Sequence, residues 1–340
     1  MSFLTALQKQ KFLSLTLLVG VLMTGYMFLR HIDPNIHAPS LSRNTAAAEA
    51  SLPATTTPPN AFKNVQIAAK AAIVLDARSG EVLYEKNADT ALPLASLTKI
   101  MSAITAADLA SMNSTVTVDQ FALETDGDNG LYAQESWKLK NLLDFSLIVS
   151  SNDGITAIAS SLGGTILGET ASAAAADPAS AEAAFVGRMN NEAEKLDLPT
   201  LRFINPTGLD EGVKTGGMGS ARDVAKLLSY GISDYPSVFE ATRYQSIDVT
   251  SENGITHTAV NTDAVLNSIP GLIASKTGYT DLAGGNLAVA FDAGLNRPVV
   301  VVVLGSSYDG RFGDMATLVG ATEDYIAGST DKESLASNKE

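Results

Sequence analysis

Ser96 and Lys99 stand three residues apart in Pro93-Leu94-Ala95-Ser96-Leu97-Thr98-Lys99, where an apolar pattern of helical period begins. Leu97, Ile100, Met101 and Ile104 follow the i, i+3, i+4, i+7 spacing, which predicts a helix with one buried stripe. Residues three apart share a helix face, so the hydroxyl and the amine are neighbours at the edge of that stripe. A serine in the opening turn lies beside free backbone N–H groups and the positive end of the helix dipole. An amine one turn on serves as base for that hydroxyl once it has lost its proton. The chemistry this pair suggests is attack by an activated serine. The spacing alone is a weak signal, since Ser329 and Lys332 repeat it in a polar stretch with no apolar helix behind it. The plain alternative for Ser96 and Lys99 is a capping serine and a solvated lysine.

Two other clusters carry polar side chains at breaks in apolar segments. Ser150-Ser151-Asn152 separates an apolar helix over 141–149 from an amphipathic one through Ile155, Ile158, Ala159 and Leu162. As isolated residues these are ordinary helix caps. Lys276-Thr277-Gly278 ends an apolar strand, where an amine and a hydroxyl project beside a glycine that allows close backbone approach. Composition removes several rival chemistries. There is no cysteine, so a thiol nucleophile, disulfides and thiolate metal sites are excluded. Of His31, His37 and His257 only the last lies in the ordered region, which leaves little for a Ser-His-Asp triad or a histidine zinc site. A net charge of −14 argues against nucleic-acid binding. Nothing calls for a metal or an organic cofactor.

The elements that must position these residues read as follows. Residues 12–29 are an apolar run with Lys9 and Lys11 before it and Arg30 after it, and 12–30 are expected to be an uncleaved transmembrane anchor behind a cytoplasmic 1–11. A cleaved signal peptide is the alternative. Residues 31–65 are rich in Pro, Ala, Ser and Thr and read as a flexible tether. Strands are expected over 72–76 and 81–84, joined by a turn at Gly80, and again over 271–279, 286–291 and 298–304. Between them lie helices over 185–196 and 220–230, the latter opened by a capping-box-like Ser220 and Asp223. Residues 163–184 read as an inserted loop of weak helical character, 311–326 as a last helix, and 329–340 as a polar tail. Strands at both ends and helices in the middle predict an α+β domain over 66–328, with an antiparallel sheet uniting its two sequence-distant parts.

The three clusters, in this order, form a set shared by β-lactamases and penicillin-binding proteins. The longer blocks go further. Pro93 to Met101, Phe203-Ile204-Asn205-Pro206-Thr207-Gly208-Leu209, Ser220-Ala221-Arg222-Asp223 and Lys276-Thr277-Gly278-Tyr279-Thr280-Asp281 closely resemble blocks of the serine-type D-Ala-D-Ala carboxypeptidases, the low-molecular-mass penicillin-binding proteins. The resemblance implies a β-lactamase/transpeptidase-like fold, with an antiparallel sheet, flanking helices and a mainly helical subdomain. It implies that Ser96 attacks the penultimate D-alanine carbonyl of a peptidoglycan stem peptide, with Lys99 as base, Ser150 relaying the proton to the leaving amine and Asn152 holding Lys99. Lys276, Thr277 and Arg311 become the groups that receive the substrate carboxylate, beside Gly278. The N–H groups of Ser96 and Tyr279 become the oxyanion hole. β-Lactams are the implied covalent inhibitors, and the implied location is the outer side of a bacterial cell membrane. DD-endopeptidase and β-lactamase activities are the near rivals, although no E-x-x-L-N segment lies between Gly154 and Ser220. An inactive membrane-tethered peptidoglycan-binding module is the rival from another class.

Overall fold

The computed structural model describes residues 61–127, 129–168, 177–294 and 296–337. The expected cytoplasmic segment 1–11, the anchor 12–30 and the tether through residue 60 lie outside them. Among the described residues no helix is long and apolar enough to cross a membrane.

Five strands make the main sheet: β1 (Ala71–Asp76), β2 (Val82–Lys86), β3 (Leu272–Thr280), β4 (Gly284–Asp292) and β5 (Pro298–Ser306). Their order is β3-β4-β5-β1-β2, and every neighbouring pair is antiparallel. The two ends of the domain meet where β1 pairs β5, with Ala71 opposite Leu304 and Asp76 opposite Val299. β5 shows why the sheet sits at the centre. Its run of β-branched residues is buried throughout, with Val300, Val302 and Leu304 facing one apolar core and Val299, Val301 and Val303 the other. Alternate residues point to opposite faces, so a continuous valine run means that both faces are covered.

Six longer helices supply the cover: α1 (Thr98–Leu109), α2 (Leu139–Ile148), α3 (Asn152–Ile166), α4 (Pro178–Lys195), α5 (Ala221–Asp234) and α6 (Gly310–Ser337). Met315, Leu318 and Val319 of α6 close one face together with Phe62. The remaining helices cover the other face, with α1 packed among α3, α4 and α5.

Several sequence expectations need correction. The α1 helix has no single stripe: every residue from Thr98 to Ala106 is buried, as expected of a helix enclosed on all sides. The segment 163–184 is not one loop, because α3 runs to Ile166 and α4 begins at Pro178. Asp177 caps that helix, its carboxylate accepting from the Ser180 N–H, and Pro178 stands in the first turn, where its missing N–H costs nothing. At α5, Ser220 Oγ accepts from the Asp223 N–H at 3.1 Å, but Asp223 does not complete a capping box. Its carboxylate accepts instead from the N–H and hydroxyl of Thr200. The final helix continues to Ser337, through most of the segment read as a polar tail. A hairpin of Ser246–Thr250 and Thr256–Val260 closes around the Asn253-Gly254 turn.

Candidate active site

Ser96 lies in a 3-10 turn, Ala95–Leu97, that leads into α1, so it precedes the first α turn rather than occupying it. Ala95 enters the turn with φ of 49°, a left-handed conformation rare for alanine. This arrangement points the Ser96 hydroxyl at Lys99, whose Nζ is 2.8 Å away. Lys99 is fully buried, and its Nζ also donates to Asn152 Oδ1 at 2.7 Å and to the Thr207 carbonyl at 2.9 Å. Burial, and next the like charge of Lys276, hold the amine well below the usual lysine range. Once it has lost its proton, such an amine has two N–H donors and one lone pair. Asn152 and Thr207 offer two acceptors, which leaves the lone pair for the Ser96 proton. That is the geometry a general base needs.

The Ser150 cluster divides its duties. Ser151 is a cap, its Oγ accepting from the Gly154 N–H at 3.0 Å. Ser150, at φ of 64°, instead accepts from Lys276 Nζ at 2.9 Å. Asn152 is fixed by donating from Nδ2 to the Asp126 carbonyl at 2.7 Å. The Lys276 amine also donates to the Thr277 carbonyl, and burial followed by the nearby Arg311 charge brings its pKa down to about 7, with Asp263 opposing. Two lysines on sequence-distant elements thus each reach a serine, and their mutual repulsion favours loss of a proton from the pair.

β3 completes the cleft. A side-chain carbon on Gly278 would stand 2.9 Å from the Leu94 carbonyl and 3.2 Å from the Ser96 N–H nitrogen, so the strand end lies directly against the turn that carries Ser96. Arg311 is only 3% exposed; its Nη1 donates to the Gly278 carbonyl at 2.8 Å and its guanidinium lies 4.5 Å from the Tyr308 ring centre. Tyr279 packs edge-on against Tyr308 and remains partly exposed beside them. The Thr277 hydroxyl pairs with Thr262 Oγ1 at 2.6 Å.

All nine candidate residues therefore fall in one connected region. Sequence reasoning passed over Asn286, which is wholly buried, donates to the Pro93 carbonyl at 2.9 Å and accepts from the Gly305 N–H. A lone amide in an otherwise apolar strand was the available signal, since buried polar groups have partners. The Ser220–Asp223 block proves structural: Arg222 ties α5 to Glu85 and Asp89. His257 is paired with Glu135 at 2.7 Å inside an aromatic cluster with Trp137 and Phe145 and contributes no triad. Behind Thr207 a cavity of about 260 Å³ is lined by Glu124, Glu182 and Glu211. Burial, and then the Glu211 charge, push the Glu182 carboxyl up to about 7.

A serine beside a buried amine held well below the usual lysine range, with a second lysine–serine pair opposite, is the arrangement of the penicillin-recognising serine acyl-transfer enzymes. Within that class, the D-alanyl-D-alanine carboxypeptidase family matches residues 54–308, and the chain belongs to it. It is 30% identical over 239 residues to a D-alanyl-D-alanine carboxypeptidase of Mycobacterium tuberculosis, covering 70% of this chain and 75% of that one. It is 28% identical over 278 residues to a D-alanyl-D-alanine endopeptidase of Pseudomonas aeruginosa, covering 78% and 79%. The matches to carboxypeptidases of Bacillus subtilis and Escherichia coli span 58% of those proteins. The crystal structure of a carboxypeptidase from M. tuberculosis superimposes with a TM-score of 0.64 at 28% identity, over 76% of this chain and 91% of that one.

Proposed function

We propose that this chain removes the terminal D-alanine of peptidoglycan stem peptides through an acyl-enzyme on Ser96. The observation that carries the reading is the fully buried Lys99 amine, 2.8 Å from the Ser96 hydroxyl with its other two partners already fixed. Ser96 Oγ attacks the penultimate carbonyl while its proton passes to Lys99. The N–H groups of Ser96 and Tyr279 receive the oxyanion; removing one such donor typically lowers the rate about 10²–10³-fold. Ser150, held by Lys276, relays the proton taken up by Lys99 to the departing D-alanine amine, which leaves Lys99 neutral and the Ser150 hydroxyl intact. Water then cleaves the ester with Lys99 again as base, restoring Ser96 and releasing the shortened peptide. A β-lactam would acylate the same oxygen by ring opening.

Labelling with a fluorescent penicillin tests the reading, with Ser96→Ala as control: the parent protein takes the label and the variant does not. A parent protein that stays unlabelled would refute it. The endopeptidase reading, supported by the relative of that name, uses the same machinery. Release of D-alanine from a pentapeptide against cleavage of a cross-linked dimer separates the two. The apolar run 12–30 supports a single-pass anchor with the catalytic domain outside the cytoplasm. Retention of the full-length chain in membranes after an alkaline wash is expected, and release of a shortened soluble protein would overturn it.

A further inference from the structure

We propose that Thr262 is a positioning residue for recognition of the ligand carboxylate, acting through the Thr277 hydroxyl. The proposal rests on the acyl-transfer reading of the cleft. Thr262 lies in no sequence block singled out above, yet its Oγ1 stands 2.6 Å from Thr277 Oγ1. Its backbone N–H donates to the Ile148 carbonyl at 3.3 Å, the last turn of α2 before Ser150. One residue thus touches both the turn that carries Ser150 and the strand that carries Lys276.

Its neighbours hold it rigidly. Asn261 donates from Nδ2 to the carbonyls of Thr242 and Tyr244 and accepts from the Asp263 N–H. Asp263, buried, accepts from Ser275 Oγ at 2.5 Å and from the Val265 N–H at 3.0 Å. The bracket is therefore fastened to β3 one residue before Lys276, while the Thr262 side chain itself is exposed. At 2.6 Å one of the two hydroxyls must donate to the other, and which one does so sets where the Thr277 proton points.

Each hydroxyl has a single proton. If Thr277 donates to Thr262, its proton is turned away from the cleft. If Thr262 donates, the Thr277 oxygen is satisfied as acceptor and its own proton is left for an anion beside Lys276. A ligand carboxylate can only accept, so it selects the second arrangement. Thr262 then supplies the hydrogen bond that makes Thr277 a donor.

The test measures second-order acylation rates for benzylpenicillin and for its methyl ester, which lacks the negative charge. The parent protein is compared with Thr262→Val and Thr262→Ser. With the free acid, the valine variant is expected to acylate about tenfold more slowly or worse, and the serine variant within about threefold of the parent. With the ester, all three should agree within about twofold. Thermal melts run alongside; if the valine variant does not fold, Thr262→Ala carries the same comparison. A valine variant at the parental rate overturns the proposal. So does an equal loss on acid and ester, or a serine variant as slow as valine. A parent protein that is never acylated overturns the acyl-enzyme reading itself, and this proposal with it.

Discussion

Gly278→Ala probes the contact on which the cleft depends. The added carbon would meet the Leu94 carbonyl oxygen at 2.9 Å and the Ser96 and Leu97 nitrogens at 3.2 Å each. All three are backbone atoms of the turn that carries Ser96, so no side chain can swing aside. Restoring ordinary contact requires the strand and the turn to part by about half an ångström. Misplacing reacting groups by 1 Å costs about 10²-fold, so half that distance predicts roughly a tenfold slower acylation. The fold should bear the change, because overpacking of this size costs about 1–3 kcal/mol and Gly278 does not have a positive φ. Gly208→Ala is the contrasting control. There φ is +83° and the new carbon would lie 1.9 Å from the Ala95 carbonyl, which no small shift relieves. The assay is the second-order rate of labelling by fluorescent penicillin, beside a thermal melt of each variant. The reasoning fails if Gly278→Ala labels at the parental rate, or if it melts as low as Gly208→Ala.

Three further substitutions follow from the charges around the cleft. Asn152→Asp places a carboxylate about where an oxygen now lies 2.7 Å from Lys99 Nζ, which raises the amine pKa and leaves the base protonated near neutrality. Acylation should fall at least about tenfold at pH 7 and recover as pH rises; a profile superimposable on the parent's would contradict this. Lys276→Met should abolish labelling yet melt higher than the parent at pH 6. The Lys276 pKa of about 7 lies below the free-lysine value of ~10.4, so the cost of burying its charge is complete below pH 7 and fades toward pH 10. The melting difference should therefore shrink between pH 6 and pH 9, and a constant difference would refute the account. Glu182→Gln has the opposite sign. A carboxyl raised to about 7 from 4.5 weakens the fold increasingly from pH 4.5 to pH 7, so the variant should melt higher at pH 8 and equally at pH 4. Equal melts at pH 8 would show that Glu182 ionises without penalty.

What the sequence revealed and what it hid divide along physical lines. Ser96, Lys99, Ser150, Asn152 and Lys276 could be singled out because they flank strongly apolar segments and stand in blocks that resemble one family, and the structure brings them together. The sheet was legible in outline, since the β1 and β5 segments are too apolar to be left at the two ends of an α+β domain. The all-round burial of α1 was not, because a helical stripe records the residues that must be apolar and is silent about Ser102 and Thr105, which are buried as well. Ser102 is accommodated by donating to the Pro206 carbonyl at 2.6 Å, a partner 104 positions away that no local pattern announces. The start of α4 was hidden by composition: an alanine- and serine-rich stretch looks like a loop until Asp177 and Pro178 are taken together as a cap and a first turn. Thr262 and Asn286 act only through tertiary partners and left faint traces or none.

The conformations of Ala95 and Ser150 lay beyond any such pattern, and they bear most directly on how the cleft is held. Among the described residues the other non-glycine residues with positive φ are Asn87, Gln134, Asp197 and Asn296, whose polar side chains suit turns; Ala95 has no such side chain to compensate. A non-glycine residue in this region costs about 1–3 kcal/mol and persists only where its surroundings fix it. For Ala95 the surroundings are visible: its carbonyl lies where a side chain on Gly208 would be, and Gly278 presses against the same turn from β3. The two glycines thus confine the turn that aims Ser96 at Lys99, and they come from segments more than 100 and more than 180 residues further along the chain. Ser150 is held by a hydrogen bond from the Lys276 amine, itself part of β3. Both strained residues stand at or beside one of the two serine hydroxyls that meet a buried lysine, and both are contacted by the same strand end. The placement of the two serines is therefore one structural property rather than two, and a displacement of β3 must disturb both serine–lysine pairs together.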